Sequence, residues 1–160
     1  MKSARELPLS CNLIIWRAQN ESISIHPALA TLLRLPCCTN PELREAVRRG
    51  LPFAALQELA GQLLLSLEQV ALVVGIPPRI LARRKQAGHL SPQESDRLYR
   101  VAHVFSQAAE ALGSLEKART WLKTPNRALA CETPLDLLDT EIGARQLEEV
   151  LLRLNHGFFG

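Results

Sequence analysis

Arg79, Arg83, Arg84 and Lys85 place four cations within seven positions, with no acid among them. Arg79 and Arg83 are four residues apart, so a helix projects them from one face. A guanidinium carries planar paired donors that fit a phosphate or the O6/N7 edge of guanine, while a lysine ammonium is a point charge suited to phosphate. The chemistry on offer is recognition of a polyanion. No comparable set supports bond making. The four histidines (His26, His89, His103 and His156) are scattered, and neither a glycine-rich phosphate loop nor an ordered serine, histidine and aspartate set occurs. Cys11, Cys37, Cys38 and Cys131 form no CxxC pair and have no histidine at zinc spacing. Free buried thiols are the expectation, with a redox-active vicinal pair Cys37–Cys38 as the alternative. The chain is read as a non-enzyme, with no catalytic residue, metal or cofactor assigned.

The element that must carry these cations lies in Leu67–Gly88, LEQVALVVGIPPRILARRKQAG. Leu67, Val70, Ala71 and Val74 share one helical face. Gly75 ends that helix, Ile76 plugs the angle, and Pro77-Pro78 open a second helix that Gly88 stops. A small residue, Ala71, with glycine four positions later has the look of a helix-turn-helix. The alternative is an ordinary helical hairpin with a solvated basic face. Position 84 is usually apolar in repressor-type motifs, so either the second helix is rotated or Arg84 buries its stem at the core edge. Ser66 and Gln69 have capping-box spacing, and Gln69 is placed with Arg79, Arg83, Arg84 and Lys85 as a DNA-binding residue, since a cap can also meet phosphate. Arg97 and Arg100 either extend the basic face or pair with Glu94 and Asp96 on their own helix, and local pairing is expected.

The charge distribution agrees with this placement. Residues 79–100 hold six basic and two acidic side chains, and residues 131–160 hold two and six. The positive field suits a polyanion and the acidic end suits a basic protein. A hydrophobic content of 47% with only 4% aromatics, rich in leucine and alanine, supports a core built from helices. No signal peptide or membrane span is read, so a cytoplasmic protein is expected.

Taken in order, residues 1–40 carry little pattern, and a strand or short helix is equally open for SISIHPALATLL. Pro41–Gly50 reads as a helix with acids early and arginines late. Leu51–Leu65 reads as another, with Phe53, Leu56, Leu59, Ala60 and Leu63 inward. Ser91, Pro92 and Glu94 open a long helix to Leu112, striped by Leu98, Val101, Ala102, Phe105, Ala109 and Leu112. Ser114 caps a helix holding Ala118, Trp121 and Leu122, with Trp121 in the core, and Pro125-Asn126 turns the chain. Pro134–Leu138 is short. A last helix from Asp139-Thr140 carries Ile142, Leu147, Val150, Leu151 and Leu154 and stops at Gly157. The fold class is all-α, with eight or nine helices. Three segments are expected: a variable extension over 1–45, a helix-turn-helix domain over 46–105 and a small helical domain over 106–160.

The order of LSPQESDRLYR, WLKTPNRAL and TPLDLLDTEIGARQLEEVLLRLNHGFFG, preceded by RRGLPFAALQELA and the helix-turn-helix, resembles the antitoxins of the Xre/MbcA/ParS family over about residues 46–160. The resemblance implies an antitoxin whose C-terminal domain covers the NAD pocket of a RES-domain toxin, and whose helix-turn-helix binds the promoter of its own operon. The partners expected are therefore a RES toxin, promoter DNA and, because operators are read by symmetric pairs, a second copy. Toxin binding is placed on Glu148, Leu152, Asn155, His156, Gly157, Phe158, Phe159 and Gly160. Two phenyl rings at a chain end are costly in water unless a partner's pocket or their own core covers them. His156 is either a toxin contact or a favourable charge at a helix C-terminus. The alternative function is a stand-alone dimeric transcriptional regulator without a toxin partner.

Overall fold

Capping side chains set most of the helix limits in the computed structural model, which describes residues 33–34 and 39–155. Thr39 precedes α1 (Asn40–Arg49), and the Glu42 carboxylate accepts the Thr39 N–H at 2.8 Å. There follow α2 (Phe53–Leu63), α3 (Leu67–Val73), α4 (Pro78–Ala87), α5 (Pro92–Leu112), α6 (Leu115–Lys123), a single 3₁₀ turn (Arg127–Leu129), α7 (Pro134–Leu137) and α8 (Glu141–Asn155). No strand occurs among the described residues, so the fold is all-α as expected. Ser66, Ser91 and Ser114 each accept the N–H three residues on, as their spacing predicts. The expected helix from Leu51 starts two residues later. Leu51 and Pro52 are instead tied to the loop after α4: Leu90 N–H donates to the Leu51 carbonyl at 2.9 Å and Phe53 N–H to the Gly88 carbonyl at 2.9 Å. The Leu51 N–H donates to the buried Ser95 hydroxyl at 2.8 Å.

The spine is α5, about 31 Å long at 1.5 Å per residue. Its buried residues Leu98, Val101, Ala102, Val104, Phe105 and Ala108 face α1, α6 and α8. The last helix lies parallel to it, since Arg100 meets Glu141, His103 meets Glu148, and Gln107 to Ala111 flank Leu151 to Asn155. Both expected segment boundaries fall inside helices, 45/46 within α1 and 105/106 within α5. A second tie joins the halves. Arg119 of α6 donates to the Gln62 carbonyl, and Lys123 Nζ to the Leu64 carbonyl at 3.2 Å, so α6 caps the C-terminal end of α2. Arg34 binds Glu58 at 2.9 Å; its hydrogen bond first, and that of Gln62 second, holds the Glu58 carboxyl below its usual range.

Three expectations are corrected. Ile142, read with Leu147, Val150, Leu151 and Leu154 in the apolar pattern of the last helix, is 74% exposed, because Gly143 and Ala144 occupy the inner face. A Cβ on Gly143 would lie 1.9 Å from the Leu137 carbonyl oxygen of α7. Gly143→Ala is therefore expected to cost about 1–3 kcal/mol through overpacking, read as a lower urea midpoint at unchanged slope. Cys131, expected to be buried, is an exposed free thiol in the turn after the 3₁₀ segment, where its neighbours Ala130 and Glu132 are exposed as well. Trp121, expected in the core, packs against it but is only partly buried, and its other side lines an open groove with Leu112 and Pro125. The expectations for residues 1–32, for Cys37 and Cys38, and for the tail His156–Gly160 lie outside the described residues. No helix among the described residues is long and apolar enough to cross a membrane.

Candidate nucleic-acid interface and partner-binding face

The angle between α3 and α4 is built from local chemistry. Gly75 adopts φ +75°, where a side chain is strained. Ile76 is buried and its N–H donates to the Ala71 carbonyl at 2.7 Å, so the turn folds back on α3. Pro77 is the N-cap of α4 and Pro78 its first residue. Leu81 is the one buried residue of α4, with Ile80 and Arg84 partly covered beside it. The opposite face carries Arg79, Ala82, Arg83 and Gln86, all exposed. Arg79, Arg83 and Lys85 have no ion-pair partner among the described residues. Gln86 was passed over in sequence, although it stands three residues after Arg83 on the outward face. A glutamine there has the donor and acceptor pair that fits an adenine edge.

The other two members of the expected DNA set are engaged within the fold. The Arg84 Nε lies 2.7 Å from one Glu94 carboxylate oxygen and 3.0 Å from the other, with only 19% and 11% of the two side chains exposed. The same carboxylate accepts the Ser91 N–H at 2.7 Å, so it caps α5 and anchors α4 at once. Of the two options for Arg84, the one that sets it at the core edge matches this geometry. Arg84→Gln is expected to cost about 1–3 kcal/mol of stability, because a charged hydrogen bond to a shielded carboxylate is lost. Chemical denaturation measures this. The Gln69 amide oxygen accepts the Ser66 N–H at 2.9 Å, completing the capping box. Arg100 binds Asp96 at 3.1 Å on its own helix, as local pairing predicts, and also Glu141 at 3.2 Å. Arg97 instead reaches the Val74 carbonyl at 3.4 Å.

The second candidate surface lies on α8. Gly143, Ala144, Leu147 and Leu151 point inward. Glu148, Leu152 and Asn155 fall at i, i+4 and i+7, and together they line a groove against Gln107, Glu110 and Ala111 of α5. Leu152 is 58% exposed, a large apolar side chain with no cover of its own. Glu148 is half-buried and lies 3.8 Å from His103 Nε2, whose ring stacks on Tyr99 with centroids 5.6 Å apart. Burial first, then the nearby negative charges of Glu148 and Asp96, pushes the Tyr99 hydroxyl above its usual range. No group of three or more histidine, cysteine or carboxylate side chains among the described residues is placed to hold a metal ion.

These two surfaces coincide with two family matches. Residues 42–103 match the antitoxin Xre-like helix-turn-helix domain, and residues 107–157 match the antitoxin Xre/MbcA/ParS C-terminal toxin-binding domain. The chain is 31% identical over 143 residues to antitoxin Xre of Yersinia enterocolitica, covering 84% of this chain and 97% of that protein. It is 38% identical over 84 residues to antitoxin Xre of Pseudomonas putida, covering 52% and 53%. Among solved structures it resembles a chain of the M. tuberculosis MbcT-MbcA toxin-antitoxin complex, with a TM-score of 0.52 and 30% identity over 68% of this chain and 96% of that one.

Proposed function

Since the chain belongs to the Xre/MbcA/ParS-type antitoxins, we propose that it neutralises a RES-domain, NAD-consuming toxin and represses the promoter from which both are made. It acts by binding and not by catalysis. In this reading α8 and the residues that follow it enter the toxin's NAD pocket. Glu148, Leu152 and Asn155 form the near edge of that contact, and His156, Gly157, Phe158, Phe159 and Gly160 its deep end. The outward face of α4 enters the major groove of promoter DNA, with Arg79 and Arg83 at base edges or phosphates and Lys85 on phosphate. Gln69 and Arg84 serve this surface indirectly, by capping α3 and by fixing α4 against α5. A homodimer supplies the two helices that a symmetric operator needs. The toxin-binding unit takes residues 106–160 and the DNA-binding unit residues 46–105, with α5 common to both.

The observation that carries the reading is that the uncompensated cations of α4 and the uncovered leucine of α8 stand on different elements. One chain can thus hold an anion and a protein at the same time. The experiment is to express the neighbouring gene alone and with this chain, following growth and cellular NAD. Growth arrest with NAD loss, relieved by co-expression, is expected. Arrest that co-expression leaves unrelieved overturns the toxin assignment. Arrest and relief at constant NAD overturns its chemistry alone.

A further inference from the structure

The arginines left without an acid are not confined to α4. Arg44 and Arg48 of α1 are exposed, stand one helical turn apart, and have no ion-pair partner among the described residues. Both line a cleft of about 440 Å³ between α1 and α5. Arg48 also lines an adjoining cleft of the same volume with Gln93, Arg97 and Arg100. The two clefts share Val47, Arg48 and Asp96, so they form one trough. Its far end meets the turn that opens α4. Arg97 Nη1 is 3.4 Å from the Val74 carbonyl and would lie 2.3 Å from a Cβ on Gly75. Asp96, the acid in the trough, is already bound by Arg100 at 3.1 Å. Arg44, Arg48 and Arg97 therefore remain as net positive charge along a trough that ends at the turn between α3 and α4.

We infer that this trough is a second DNA contact, in which Arg44 and Arg48 neutralise backbone phosphates beside the bases read by α4. The inference rests on the promoter-binding reading and adds a site to it. Phosphate contacts fix the position of a protein on the duplex without carrying sequence information. Each one also releases counterions, so it has its own signature in the salt dependence of binding.

The test uses the full chain and the double substitution Arg44→Gln/Arg48→Gln. Its probes are a labelled duplex carrying the sequence upstream of its own gene and a shuffled duplex of equal length. Loss of two phosphate contacts makes the slope of log affinity against log salt shallower by about 1.8, and weakens binding about 30-fold near 0.15 M salt. Both duplexes are expected to weaken alike, with an unchanged melting temperature, since neither side chain is buried. Arg49→Gln removes one charge from α1 outside the trough and is expected to leave binding unaltered. An unchanged slope in the double variant overturns the inference. So does a loss confined to the cognate duplex, or an Arg49→Gln effect equal to that of Arg48→Gln alone. If the unaltered chain binds neither duplex, the promoter reading itself has failed, which is a separate result.

Discussion

Replacing Arg79 and Arg83 together by glutamine is expected to abolish binding to promoter DNA while toxin binding stays intact. A bidentate arginine–guanine pair is worth about 1–3 kcal/mol of discrimination. Losing both therefore costs about 2–6 kcal/mol, or roughly 30- to 10⁴-fold in affinity. Neither side chain is buried or paired among the described residues, so the fold has little to lose. Fluorescence anisotropy with promoter DNA, beside co-purification with the toxin, separates the two activities. Joint loss of both would mean that the surfaces overlap or that the chain has unfolded. The contrast with Arg84 is informative: its substitution lowers stability through Glu94, so any effect on DNA should track unfolding.

Deleting Asn155–Gly160 is expected to restore toxicity in cells that co-express the toxin. Phe158 and Phe159 each contribute about 1.5–3 kcal/mol when covered, so their removal alone weakens the complex by about 10²- to 10⁴-fold. Growth after induction and calorimetric titration of purified toxin give the two readings. Because α8 keeps Leu147 and Leu151 in the core, the truncated chain should melt as the intact one does. Rescue that survives the deletion would move the toxin contact back onto the Glu148–Leu152 groove. Leu152→Asp is the variant that then decides.

What could be read from sequence was local. Ser66, Ser91 and Ser114 announced their helices because a cap and its N–H partner lie three residues apart. Arg79 and Arg83 were recognisable as one face because helical spacing alone fixes it. What could not be read depends on contacts distant in sequence. Arg84 meets Glu94 across ten positions and a turn, and the Leu51 N–H meets Ser95 across 44. The inward face of α8 was misjudged at Ile142 for the same reason. Hydrophobicity favours isoleucine over glycine, but the Leu137 carbonyl leaves room only for Gly143. Gln86 was missed because a neutral side chain among cations has no charge signal, although its spacing from Arg83 was available.

The unbroken run of α5 through residue 105 has a practical consequence for anyone dissecting the molecule. A fragment ending at Phe105 loses α6 and α8, which pack against α5, while the remaining piece keeps only the last two turns of α5 beside them. Such halves should clump or melt when made separately, and silence from either one would report spoiled scaffolding, not a missing activity.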